Sequence, residues 1–178
     1  MLSGEFRKRG RAPLVYDEID LESFNIISDW AYYAVLSLFE ISSSKFDPKW
    51  IATRLNIAEA RAEHVLQGLV ANGLLAKSQG VWKQTGKPIK IENPISTQVT
   101  RSFNKKLIGK AIESLENDSI ELRNLSSTTF AVDTAQIPFA VKRIREFRRK
   151  LTSELEKKGS PKEVYSLTVQ LFPLTKGL

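Results

Sequence analysis

Cysteine is absent from the 178 residues, and histidine occurs once, as His64. Without thiolates there is no disulfide, no thiol nucleophile and no cysteine metal site. One imidazole leaves no multi-histidine metal site and little scope for a Ser-His pair. No motif marks a carboxylate-only alternative, so no catalytic residue, metal or cofactor is expected. The chain also lacks any apolar run near the ~20 residues needed to cross a bilayer. Its opening, "MLSGEFRKRGRAP", is basic but has no apolar stretch of the secretory kind. A cytoplasmic protein without membrane contact is the resulting expectation.

Charge of one sign is missing from a whole region. Residues 13–44 hold six acids and no base, whereas residues 134–160 hold eight bases against three acids. Residues 1–12 carry Arg7, Lys8, Arg9 and Arg11 against Glu5. The net charge of +7 is therefore segregated. Such segregation bears on polyanionic partners and not on fold.

What is present reads as helices, then a hairpin. In "LESFNIISDWAYYAVLSLFEI" (21–41) Phe24, Ile27, Ala31, Ala34, Val35 and Leu38 recur at helical spacing. Asp20 suits the start of that helix as its cap. Trp30, Tyr32 and Tyr33 add aromatic bulk for a second buried face. Asp47-Pro48 then supplies an N-cap and a proline at the first helical position. This predicts a short helix to Leu55, with Asn56 as a left-handed stop. A third helix is predicted from Ala58 to Asn72, closed by Asn72-Gly73. "LLAKSQGVWKQTGKPIKI" reads as two short strands around Gly80. Ala52, Leu55, Ile57, Val65, Leu66, Leu69, Leu74 and Leu75 are the expected core.

This order, three helices and a basic hairpin, is that of a winged helix. At about 100° per residue, Val65, Leu66 and Leu69 fall within about 60° of Ala62 and form the buried face of the third helix. Its outward centre is Ala60, His64, Gln67 and Ala71. Arg61 flanks one side of that centre, Glu59 and Glu63 the other. Gly68, which costs roughly 1 kcal/mol relative to Ala in mid-helix, implies close approach by a DNA groove or by a neighbouring helix. Arg61, His64 and Gln67 are the candidate DNA contacts on this helix, because Gln and His can bond to base edges. Lys77 and Lys83 are the candidates on the wing, where lysine suits phosphates. Arg7, Lys8, Arg9 and Arg11 form either a minor-groove arm or a solubilising tail. Trp82 is read as the anchor of the hairpin.

The second half is expected to be a separate unit of helix, strand, helix and strand. Its parts are a basic amphipathic helix (97–116), a strand (126–133), a long helix (136–158) and a closing strand, "EVYSLTVQLFPL". Ile137, Val141, Ile144, Leu151 and Leu155 should point inward from the long helix. Tyr165, Leu167, Val169 and Leu171 share one face of the closing strand. Two strands alone are marginal in water. They either join a second copy as a homodimer or pair within the chain with residues 89–96. "KRIREFRRK" (142–150) has the look of a nucleic-acid patch, but Ile144, Phe147 and Leu151 draw it toward a core. It is read as a solvated amphipathic helix. "GVWKQTGKP" fails as a phosphate loop, since its spacing is one residue too long and Pro88 replaces the Ser or Thr. Asp29 and Asp133 are read as capping or turn residues.

"ISDWAYYAVLSL", "WIATRLNI", "NGLL", "STTFAVD", "IREFRRKL" and "VYSLTVQLFPLT" together resemble an uncharacterised bacterial domain family, frequent in predatory bacteria and labelled a presumed regulator. The resemblance runs from about Asp20 to Thr175. It implies a regulatory role and supplies no catalytic residues. Typical members carry an additional N-terminal helical region resembling a helix-turn-helix, in whose place only the basic arm stands here. Ala58 stands where the family has a capping serine.

The expectation is thus an α+β protein with an arm (1–16), a winged-helix domain (17–92) and a C-terminal α/β unit for dimerisation or effector binding (93–178). Its expected role is non-enzymatic binding of double-stranded DNA in transcription, as a homodimer. The runner-up is a winged helix that binds a protein partner, and structured RNA comes third.

Overall fold

Local capping chemistry sets the first element boundaries in the computed structural model, which describes residues 28–87, 97–157 and 159–176. Asp29 has extended backbone (φ −119°, ψ 121°), and its carboxylate accepts a hydrogen bond from the Ala31 amide at 3.0 Å. It thereby starts helix α1, Trp30–Leu38. The single helix expected over residues 21–41 is therefore interrupted. An aspartate that satisfies an orphan amide outcompetes continuation of the helix. Asp20, the arm residues Arg7, Lys8, Arg9 and Arg11, and segment 89–96 lie outside the described residues.

Asp47 caps the Lys49 amide at 3.0 Å and Pro48 opens α2, Pro48–Leu55. Asn56 ends it in the left-handed region (φ 49°, ψ 58°), as its sequence position suggested. Helix α3, Glu59–Ala71, follows without a side-chain cap, because Ala58 offers no acceptor. Strands β1, Leu75–Ser78, and β2, Val81–Gln84, pair antiparallel around Gln79-Gly80. Both turn residues have positive φ (51° and 82°), which gives the two-residue hairpin a twist matching its strands.

The three helices and the hairpin share one core. Ala31, Tyr32, Val35, Leu38 and Ile41 meet Ile51 from α2, Ala62, Val65, Leu66 and Leu69 from α3, and Leu74 and Leu75 from the hairpin. Ala52, Leu55 and Ile57, expected inside, are only partly buried around it. Tyr32 is 2% exposed and belongs to this core, not to a second face. A Cβ on Gly68 would lie 3.0 Å from the Tyr32 ring, so the close approach to Gly68 is made by a neighbouring helix of the same chain. Phe46 stacks on Trp82 at 4.0 Å and 13°, which anchors the hairpin. The Gln84 amide donates to the Leu36 carbonyl and to Glu40, each at 2.7 Å.

Helix α4, Thr97–Asn117, docks its first turns on α1. Val99 is buried and Phe103 meets Tyr33 edge to face at 5.4 Å. Trp30 lies under the Arg61 and Lys110 cations. Of the aromatic side chains of α1, Tyr32 is buried and Trp30 and Tyr33 are partly covered within the chain. Two 3-10 turns, Ile120–Leu122 and Thr134–Gln136, lead to α5, Ile137–Glu156. Asp133 caps the second turn through the Ala135 amide.

Among the described residues, 126–133 and 163–174 form no ladder, and the partners expected for them, residues 89–96 or a second copy, lie outside the described residues. Of the α5 stripe, Ile137, Val141, Ile144 and Leu151 are half-buried, Leu155 is exposed, and no residue of this helix is fully buried. Among the described residues the architecture is mixed α+β, with five α-helices and one two-stranded sheet. No described helix is long and apolar enough to cross a membrane.

Gly68→Val should lower the unfolding free energy by about 1–3 kcal/mol, because added methyl groups must displace the Tyr32 ring. A lower urea midpoint at unchanged slope is the expected reading, and an unchanged midpoint would show that the ring yields freely. Asn56→Ala should cost about 1–2 kcal/mol in the same assay through its left-handed backbone. Asn56→Gly should be far milder.

Candidate nucleic-acid interface

Helix α3 presents Glu59, Ala60, Glu63, His64, Gln67, Val70 and Ala71 to solvent. His64 and Gln67 stand where the sequence placed them, on the outward centre. The Gln67 amide donates to Glu63 at 3.3 Å, one helical turn away. Arg61 does not join them. Its guanidinium makes a bidentate pair with Asp29 at 2.8 and 3.0 Å and sits over the Trp30 ring at 5.4 Å. Forked pairing of this type fixes the guanidinium in place. The exposed face of α3 is left with two carboxylates and no unpaired cation. Sequence reasoning missed this because Asp29 lies 32 residues before Arg61.

The hairpin differs. Lys77 and Lys83 are exposed, and neither is held by a carboxylate among the described residues. In the ladder Lys77 is opposite Trp82 and Lys83 is opposite Ala76. Side chains of opposed residues share a face and successive ones alternate. The two lysines therefore leave the hairpin on opposite faces and reach different points along a polyanion. Lys87 is committed elsewhere, donating to the Asn72 carbonyl at 2.9 Å beside the end of α3.

Another basic surface lies on α5. Lys142, Arg145 and Arg149 recur at three- and four-residue spacing, so they share a flank beside the apolar stripe, with Arg148 next to it. None of these four has a carboxylate partner among the described residues, whereas Arg143 pairs with Glu146 and Lys150 with Glu154. They line an open groove of about 1040 Å³ that is closed on its other side by Tyr33 and residues 165–167. Glu146 and Glu156 reach the same groove, so its lining is basic with two acids. Partial burial keeps the Tyr33 hydroxyl above its ordinary value, so it faces the groove as a neutral donor. The spacing of Lys142, Arg145 and Arg149 was visible in the sequence. Their exposure, with Ile144 and Leu151 half-buried, agrees with the solvated amphipathic helix expected there.

Arg54 of α2 ties the end of the chain to this framework. It holds Glu163 in a bidentate pair at 2.8 and 3.2 Å and donates to the Lys162 carbonyl at 2.9 Å. Val164 packs against the core beside it. One wall of the groove is thereby fixed to α2.

Arg61→Ala should cost about 1 kcal/mol of stability, since Asp29 keeps its cap but loses a partly exposed pair (Arg61 is 39% exposed). Asp29→Ala removes cap and pair together and should cost roughly 1–2 kcal/mol. Thermal melts of both variants read the difference, and equal losses would remove the separate role of the cap.

No curated protein and no solved structure matches this chain. One family model does, across residues 14–174, nearly the whole length. It takes in the three helices, the hairpin, both basic surfaces and the Arg54 anchor, and it is described as a domain of unknown function. By that match the chain belongs to the DUF4423 family.

Proposed function

We propose that this protein is a non-enzymatic winged-helix protein that binds double-stranded DNA as a homodimer and acts in transcription. The observation that carries this reading is the set of cations without carboxylate partners among the described residues: Lys77 and Lys83 on the hairpin, and Lys142, Arg145, Arg148 and Arg149 on α5. A cation without a carboxylate partner is available to neutralise a phosphate and so release counterions condensed on the duplex, whereas a paired one must first give up its carboxylate. In this reading α1, α2 and α3 form the helical body and the hairpin is the wing. Affinity comes from phosphate contacts of the wing and α5. His64 and Gln67 contribute hydrogen bonds beside them, weakened by Glu59 and Glu63 on the same helix.

A second reading is favoured by those same two carboxylates. With Arg61 neutralised by Asp29, the exposed face of α3 fits a basic protein surface better than a phosphate backbone. The fold would then serve as a protein-binding module, a use that fold alone does not exclude.

Fluorescence anisotropy on random duplex DNA separates the two. If 6–10 phosphates are contacted, affinity should fall by about 10³–10⁵ between 50 and 200 mM salt. Charge reversal at Lys77 with Lys83, or at Arg145 with Arg149, should weaken binding to every sequence alike. His64→Ala with Gln67→Ala should change it far less. Absence of binding at low salt by the folded protein defeats the DNA reading and leaves the protein-binding module.

A further inference from the structure

The groove beside α5 has two walls of different chemistry. One is the helix itself, where Lys142, Arg145, Arg148 and Arg149 line it without a carboxylate partner among the described residues. The other is Tyr33 of α1 with Tyr165, Ser166 and Leu167, and among the described residues no charged side chain stands in it. Tyr165 is 70% exposed, so most of its side chain is open to a ligand. The two acids of the groove do not cancel the row of cations. Glu146 is paired with Arg143 at 3.0 Å, and Glu156 lies about two helical turns beyond Arg149.

The cations form a line and not a cluster. Steps of three and four residues from Lys142 to Arg145 to Arg149 separate them by about 4.5 and 6 Å along the helix axis. Lining residues run on from Pro138 to Glu156, about 27 Å by the same rise. A compact anion would meet one end of such a row, whereas a linear polyanion meets all of it. The difference between the walls then selects among linear polyanions. A duplex carries phosphates on both edges, and its second edge would face the uncharged wall. A single strand carries phosphates along one edge and flat bases along the other. An aromatic side chain opposite a cationic track suits such a strand, because every base has a face that stacks.

We propose that this groove binds a single strand of nucleic acid, with phosphates along Lys142, Arg145 and Arg149 and a base against the Tyr165 ring. The half-buried, neutral Tyr33 hydroxyl adds a donor on the base side. The tyrosine wall is set in advance of binding. Arg54 holds Glu163 and the Lys162 carbonyl, and Val164 packs against the core just before Tyr165. The strand needs neither the hairpin nor a second phosphate edge, so its binding is separate from the duplex reading above.

Fluorescence anisotropy of the full chain with a labelled oligothymidylate of about 15 nucleotides, a length near the upper end of single-strand sites, tests this beside a random duplex. Binding should occur at low salt and weaken as salt rises, by about 0.7 in the logarithmic slope for each phosphate contacted. Arg145→Ala with Arg149→Ala should reduce that slope by about 1.4. Tyr165→Ala should weaken the single strand roughly 5- to 100-fold and leave the duplex unchanged. Tyr165→Phe keeps the stacking face and should bind as the parent does. Lys77→Ala with Lys83→Ala should leave the single strand unchanged. Inorganic polyphosphate and polyglutamate offer charge without bases and should displace the strand poorly. Three results overturn the proposal: no single-strand binding at low salt by a chain whose near-ultraviolet signal shows it folded, an affinity that Tyr165→Ala leaves intact, and displacement by either base-free polyanion as readily as by unlabelled oligothymidylate. Duplex binding without single-strand binding leaves the DNA reading in place and defeats this one. Single-strand binding without duplex binding does the reverse.

Discussion

Tyr32 lies so close to Gly68 that a methyl group on the glycine would stand 3.0 Å from its ring. This contact between α1 and α3 is the constraint on which the rest of the first half depends. It holds the two axes near enough for Ala62, Val65 and Leu69 to close over Ala31 and Val35. It also brings Asp29 within reach of Arg61, so that one carboxylate caps α1 and clamps α3 to it. The packing requirement thus decides the electrostatics. The arginine best placed to meet a phosphate is consumed in holding two helices together. Its partner Trp30 is shielded in turn by Lys110 from α4, which couples the second half of the chain to the same corner.

Elements whose boundaries follow from nearest neighbours in sequence were legible before any coordinates. Asp47-Pro48, Asn56 and Gln79-Gly80 each specify a backbone conformation through their own side chains or lack of one, and α2 and the hairpin obey them. Asp29 was legible as a cap but not as a break, because the apolar spacing on both sides of it continues in phase. Tyr32 was misassigned for a related reason. Its place in the core depends on Gly68, 36 positions later, being small. Strand-like alternation over residues 126–133 and 163–174 is a property of the chain, whereas a strand is a property of a pair. Where no edge is offered, the pattern alone forms nothing.

Of the candidate site, the hairpin lysines and the outward position of His64 and Gln67 could be read from helical and hairpin geometry alone. Arg61 could not, since an ion pair with a residue on another helix leaves no local trace. The spacing of the α5 cations is legible in the sequence, but which side of that helix the fold leaves uncovered is not. Hydrophobic pattern predicts that a face will be buried and is silent about the chain that buries it. The division of the molecule follows from this. One half satisfies its own apolar pattern and presents charge, while the other carries the greater share of both exposed cations and exposed apolar side chains.

The Arg54 clamp on Glu163 and the Lys162 carbonyl joins residues 109 positions apart. Contacts within the three helices and the hairpin are local by comparison and close quickly, whereas so distant a pairing must wait for a large loop to find its ends. During synthesis the first half can therefore fold while the rest is still being made. Its α2 surface stays open until residues 162–164 emerge. Residues 162–164 thereby act as a fastening: the pair on α2 and the seat of Val164 against the core together hold one wall of the basic groove.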